Sequence, residues 1–185
     1  KEKKKNKKNK KMAKKKKGMS VGQCRRLVLM RHAKSDWGDN SLSDHDRPLN
    51  RRGMEDAPSM AQWIEENDLI PDQIICSSAK RTRETVELML QVWAQEPTWS
   101  SEESLYLAAP DTIVSTIRSG FSGANTLMIV AHNPGMAYLA SMLAGKGVDM
   151  PTAAIAVFEV TDAQWCDFDS GTALQLTHFM RPKAL

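Results

Sequence analysis

Leu27-Val28-Leu29-Met30-Arg31-His32-Ala33-Lys34-Ser35 is the stretch from which the rest of the chain can be read. Four apolar residues stop abruptly at an Arg-His pair. An uninterrupted apolar run marks a strand buried on both faces of a parallel sheet. Sheets of that kind carry their chemistry just beyond the carboxyl ends of the strands. The run therefore predicts Arg31 and His32 at the mouth of a crevice. Arginine offers a planar fork of donors that matches a phosphate or a carboxylate. A histidine beside it can serve as nucleophile, base or metal ligand.

Two more strand ends carry the same kind of residue. Gln73–Ser77 reads as a second strand, and Ser78-Ala79-Lys80-Arg81-Thr82-Arg83-Glu84-Thr85 opens a helix reaching about Ala94. Arg81 thus falls at a strand-to-helix junction, where free backbone N–H groups favour anions. Arg83 lies about 200° further round the helix, so the two arginines cannot face one ligand. Thr126–Val130 is a second strongly apolar strand, ending in Ala131-His132-Asn133-Pro134-Gly135. Parallel packing would bring Arg31, His32, Arg81 and His132 to one edge of the sheet. Two arginines and a second histidine around a reactive histidine make a pocket for a dianion. The chemistry this implies is phosphoryl transfer, with an imidazole nitrogen attacking phosphorus while the other groups neutralise the equatorial oxygens.

The remaining elements are legible more coarsely. Asp36 to Asn50 is polar and carries Pro48, which predicts a loop long enough to be functional. Its His45 and four aspartates, Asp36, Asp39, Asp44 and Asp46, have no metal-ligand spacing and read as solvated charges. Asn50 is a candidate N-cap for a helix over Arg51–Asn67, with Met54, Ala57, Ala61 and Ile64 as its buried stripe. A weak strand is expected over Trp99–Glu103 and helices over Asp111–Ser119 and Met136–Leu143. Two late strands are expected over Ala153–Val160 and Thr172–Met180, with His178 structural within the last.

Taken together, Arg-His-Ala at 31–33, Arg81 within its helix-opening segment and His132 within Ala-His-Asn-Pro-Gly resemble the histidine phosphatase superfamily. More narrowly, Arg-His-Ala-Lys-Ser-Asp-Trp at 31–37, Asp-Arg-Pro-Leu-Asn-Arg-Arg-Gly at 46–53 and Met-Pro-Thr-Ala at 150–153 are similar to its SixA phosphohistidine phosphatase branch. The resemblance covers about residues 25–181. It implies an α/β fold, a three-layer α/β/α sandwich on a mostly parallel sheet of the phosphoglycerate mutase-like kind. It further implies a phosphohistidine enzyme intermediate, no cofactor and no metal. By motif, His32 is the nucleophile, Arg31, Arg81 and His132 form the phosphate pocket, and Ser35 is a further contact. Ala33 and Ala131 stand where the superfamily commonly has glycine, which narrows the backbone freedom beside the site. The general acid has no assigned position; Glu103 or a loop aspartate would have to serve.

Composition sets the boundaries. The 185 residues are expected to hold a lysine-rich disordered tail over 1–22 and one histidine phosphatase domain over 23–185. Residues 1–20 carry twelve lysines against one glutamate, a net of +11. The remaining 165 carry 14 basic and 21 acidic residues, so the body is acidic at −7. A polybasic arm can bind nucleic acid or anionic lipid, but a tail without bearing on the fold carries more weight. Nucleic acid is therefore expected only through the tail. No run of signal-peptide or membrane-span length follows it. Cys24, Cys76 and Cys166 form no CxxC and read as reduced thiols, with a cytoplasmic location expected. Cys76 reads as a small buried residue. The leading expectation is a phosphatase of protein phosphohistidine, its partner a phosphorelay domain or phosphocarrier. The alternative is a small-molecule phosphomonoesterase using the same site.

Overall fold

The computed structural model describes residues 25–120, 123–160, 164–171 and 173–185. The expected tail over 1–22 lies outside the described residues. Six strands form one sheet: β1 (Arg25–Arg31), β2 (Gln73–Ser77), β3 (Thr98–Glu102), β4 (Thr126–Ala131), β5 (Ile155–Val160) and β6 (Gln175–Met180). Their spatial order is β3-β2-β4-β1-β5-β6. The β1–β4, β4–β2 and β2–β3 pairs are parallel, and only β5 runs against the rest. Register places Arg31 beside Ala131, so the residues that follow each strand emerge side by side.

Among the described residues four α-helices cover the sheet: α1 (Arg51–Glu66), α2 (Lys80–Leu90), α3 (Pro110–Arg118) and α4 (Gly135–Ala144). Alternate residues of the central strands supply two separate cores. Leu27, Leu29, Leu127 and Ile129 pack toward α3 and α4, with Ile113, Ile117, Leu139 and Leu143. Val28, Met30, Met128 and Val130 pack toward α1 and α2, with Ala57, Ile64, Val86 and Met89. A strand buried on both faces has no polar side to present, which is why Leu27–Met30 of β1 and Leu127–Ala131 of β4 are unbroken apolar runs. The result is the expected three-layer α/β/α sandwich. Among the described residues no helix is long and apolar enough to cross a membrane.

Asn50 caps α1 as expected, its side chain accepting from the Gly53 N–H at 2.9 Å. Met54 is not in the buried stripe: it is 51% exposed. The inward face runs instead through Gly53, Ala57, Met60, Ala61 and Ile64. Gly53 sets that rotation. A Cβ there would meet the Lys34 carbonyl oxygen at 2.2 Å, so the helix start lies directly against the backbone after β1. Helix α2 ends at Leu90, short of Ala94, yet Trp93 remains buried with its indole N–H on the Ala61 carbonyl at 2.9 Å. Cys76 is fully buried, and burial pushes its thiol up to about 12, which leaves it without thiolate character.

Candidate active site

Arg31 closes β1 and His32 follows it. His132 follows the last residue of β4, and Arg81 is the second residue of α2, just past β2. Parallel strands end on one side, so these residues converge although as many as 101 positions separate Arg31 from His132. The rings of His32 and His132 lie 5.1 Å apart, centroid to centroid. Arg81 sits between them, with Nε 3.4 Å from His32 Nε2 and Nη2 3.3 Å from His132 Nδ1. All three side chains are buried. Arg31, His32, Lys34, Ser35, Asp44, Arg47, Arg81 and His132 share the wall of one open cavity of about 310 Å³.

The hydrogen bonds define the protonation of both rings. His32 Nδ1 lies 2.7 Å from the Ala33 carbonyl oxygen, so Nδ1 carries the hydrogen and donates it. Nε2 then holds a lone pair, in keeping with the Arg81 donor beside it. His132 Nδ1 accepts from Arg81, which can only donate, so its hydrogen is on Nε2, 2.7 Å from Ser77 Oγ. Both imidazoles are held neutral. Burial is the main cause, taking each down to about 3, and the arginine charges add to it. His32 is thus a neutral imidazole in the cavity wall, with a lone pair on Nε2 and its other nitrogen fixed by a carbonyl, a form chemically competent for nucleophilic attack.

Arg31 is held from the opposite side. Its Nη1 donates to the Met150 carbonyl at 3.1 Å, which also receives the Asn133 side-chain amide at 2.9 Å. The Ala153 N–H donates to the carbonyls of Arg31 and His32, at 3.1 and 3.0 Å. Ala153 adopts a left-handed backbone, φ 60°, to do so. The Met150–Ala153 segment is therefore the brace that fixes the Arg31–His32 pair. Behind His132, α4 starts at Gly135, where a Cβ would lie 2.0 Å from the Ala108 carbonyl oxygen. That close approach needs glycine.

Ser35 is buried and pairs with Leu49 in an isolated antiparallel bridge. The chain between them leaves and returns through this neck, with Asp36 N–H on the Pro48 carbonyl and Asn50 N–H on the Lys34 carbonyl. The excursion delivers residues that the sequence reading did not assign to the site. Arg47 is 7% exposed, and its Nη2 donates to Ser35 Oγ at 3.0 Å. Ser35 thus holds Arg47 as well as lining the cavity. Arg47 falls within the 46–53 motif, which was its one sequence signal.

Asp44 is a correction to the reading of the loop aspartates as solvated charges. Asp36, Asp39 and Asp46 do bond locally at the surface. Asp44 instead accepts from Arg81 Nη2 at 3.0 Å and from the Tyr106 hydroxyl at 2.6 Å, and pairs with Arg47 Nε at 3.2 Å. The Tyr106 hydrogen bond and the two guanidinium charges hold its carboxyl below the usual range. Glu103 is elsewhere: it accepts from Ser78 at 2.7 Å, its side chain is 80% exposed, and it does not line the cavity. Arg83 is exposed on the far side of α2, as its spacing predicted. His178 is half-buried and packs edge-on to Trp63. Among the described residues, no group of three or more His, Cys, Asp or Glu side chains is placed to hold a metal ion.

Comparison with known proteins places this geometry in context. A sequence model of the histidine phosphatase superfamily (branch 1) matches residues 27–104. An uncharacterised chloroplastic protein of Arabidopsis thaliana is 38% identical over 155 residues, spanning 79% of this chain and 71% of that protein. An uncharacterised protein of Mycobacterium tuberculosis is 36% identical over 155 residues, spanning 78% of this chain and 94% of that one. Among solved structures, the SixA protein from Agrobacterium tumefaciens superposes with a TM-score of 0.73 at 25% identity, covering 85% of this chain and 98% of its own. The protein histidine phosphatase SixA solved with tungstate gives 0.72 at 19% identity, covering 86% and 98%, and shares the fold.

Proposed function

We propose that this chain, which belongs to the histidine phosphatase superfamily, hydrolyses phosphohistidine on a partner protein through a phosphorylated His32. In this reading Nε2 of His32 attacks phosphorus as the bond from phosphorus to the leaving nitrogen breaks. Arg31, Arg81 and Arg47 face the charge on the transferring group, and His132 holds Arg81 in place by accepting from its Nη2. Water then attacks the phosphorylated His32 and releases inorganic phosphate.

One observation supports the nitrogen leaving group. The carboxylate in the cavity wall, Asp44, is held ionised by Tyr106, Arg81 and Arg47, so it is not a proton donor in this state. An alkoxide needs a proton to leave, whereas a phosphohistidine ring already protonated at its remote nitrogen departs as neutral imidazole. The partner would be a phosphohistidine-bearing phosphorelay domain or phosphocarrier, and the chemistry needs no cofactor.

The test is a comparison of kcat/KM for a phosphohistidine protein, phosphoramidate, aryl phosphates and alkyl phosphates. Phosphohistidine and phosphoramidate should lead, with alkyl phosphates last. Equal turnover of alkyl and aryl esters would give the reading to a small-molecule phosphomonoesterase.

A further inference from the structure

Two apolar side chains at the mouth of the cavity have no part in gripping phosphate. Trp37 is 68% exposed and Leu107 is 55% exposed, and both line the same cavity as His32 and Arg81. Large exposed apolar groups are common on protein surfaces and ordinarily call for no account. These two stand at the cavity that holds His32 and Arg81, which is what sets them apart.

Trp37 is anchored through one face of its ring. The Arg47 guanidinium carbon lies 3.4 Å from the ring centroid, and Arg47 is itself buried and fixed by Ser35 and Asp44. A stacked arginine orders the indole while the rest of the ring stays open to solvent and to the cavity. Leu107 stands on an unusual backbone. Its φ is 49°, in the left-handed region that a leucine enters only at a cost in free energy. A buried leucine could offset that cost by packing, but Leu107 projects outward. A strained backbone that presents an exposed apolar side chain at a cavity mouth points to a binding role.

We propose that Trp37 and Leu107 form a two-sided apolar clamp on the flat ring of the leaving group, fitted to the imidazole of a phosphohistidine displayed on a protein surface. The proposal rests on the phosphatase reading above and assigns the determinant of its leaving-group preference. The cavity floor, lined by Arg31, Arg81 and His132, takes the anionic phosphoryl group, and the clamp takes the ring attached to it. Such a rim offers little to a heavily hydroxylated metabolite, whose polar groups would lose water against indole and leucine without gaining partners.

Three variants test it. Trp37→Ala should lower kcat/KM for a phosphohistidine protein roughly tenfold, the loss of one good aromatic contact, and change that for phosphoramidate less than twofold. Trp37→Phe should recover most of the loss. Leu107→Gly should raise the melting temperature or leave it unchanged, by relieving the left-handed backbone, while lowering kcat/KM selectively for the ring-bearing substrate. Inhibition by inorganic phosphate, which has no ring, should stay the same in all three. Equal losses on phosphohistidine and phosphoramidate, or weaker inhibition by phosphate, would overturn the clamp and leave Trp37 as packing for Arg47. If the wild type turns over phosphate esters alone, the phosphohistidine reading fails by itself. Phenyl phosphate against glycerol phosphate then decides the clamp by the same criterion.

Discussion

Asp44 occupies Arg81. Its carboxylate takes Nη2 at 3.0 Å and its own backbone carbonyl takes Nη1, while His32 and His132 engage Nε and Nη2. In this arrangement four of the five guanidinium hydrogens have protein partners. A phosphoryl group that binds Arg81 must share it with Asp44 or displace it.

Asp44→Asn keeps the shape of that contact and removes its charge. The pair is partly open to solvent, with the Asp44 side chain 44% exposed, so screening reduces its strength. Inhibition by inorganic phosphate should tighten by roughly three- to fivefold, on the order of 1 kcal/mol or less. Weaker inhibition would mean that Asp44 chiefly positions Arg81. A loss confined to alkyl phosphates would make Asp44 the proton donor that the phosphohistidine reading does without.

Arg81 and Arg83 are two residues apart and face opposite ways. Arg81→Ala removes a buried cation between the two histidines and should cost roughly 3–4 kcal/mol of transition-state stabilisation. Arg83→Ala alters an exposed position and should leave kcat/KM within about twofold. Steady-state kinetics on one substrate, with circular dichroism to confirm folding, compares them. Equal losses would remove Arg81 from the phosphate site.

The histidines predict a pH dependence of stability with a definite sign. In the unfolded chain His32 and His132 take protons near the ordinary value of 6.5, whereas in the fold both remain neutral down to about 3. Between those limits the unfolded chain binds more protons, so stability falls as pH falls from about 6.5 toward 3. Each histidine contributes on the order of 1 kcal/mol per pH unit at most. Denaturant midpoints measured from pH 7 to 4 should show this slope, and His132→Gln should flatten it. The same shift keeps Nε2 of His32 unprotonated, so kcat/KM should have no acid limb at 6.5 from the free enzyme. An acid limb near 6.5 in the wild type, on a substrate that does not itself titrate there, would contradict the buried neutral imidazole.

The proposed reaction uses nitrogen and guanidinium groups throughout. Activity should therefore survive exhaustive chelation, checked as turnover after dialysis against EDTA. Loss of turnover restored by a divalent ion would reopen the aspartate-rich loop as a metal site. His32→Ala should abolish turnover, together with the acid-labile phosphate trapped on the wild type.

The fold was legible in the sequence because its signals are local. The runs Leu27–Met30 and Leu127–Ala131 are apolar throughout since both faces of β1 and β4 are covered, and each ends where a charged or polar residue must leave the sheet. From those endings, and from that of β2, Arg31, His32, Arg81 and His132 follow as a group, because parallel strands end on one side. Helical period alone does not say which face turns inward and so admits Met54; the contact of Gly53 with the Lys34 backbone turns Met54 outward. What only the tertiary structure decided is which side chains of the 36–50 excursion reach the site. Asp44 has the local surroundings of a solvated loop aspartate, and nothing near it in sequence says that Arg81 and Tyr106, 37 and 62 positions on, will meet it. The protonation of His32 and His132 is likewise set by the Ala33 carbonyl, Ser77 and the guanidinium of Arg81, partners chosen by distance in space. Periodicity reports burial, which each residue registers in its own type. Hydrogen bonds and ion pairs between distant segments depend on how the loops close, which no single residue's type records.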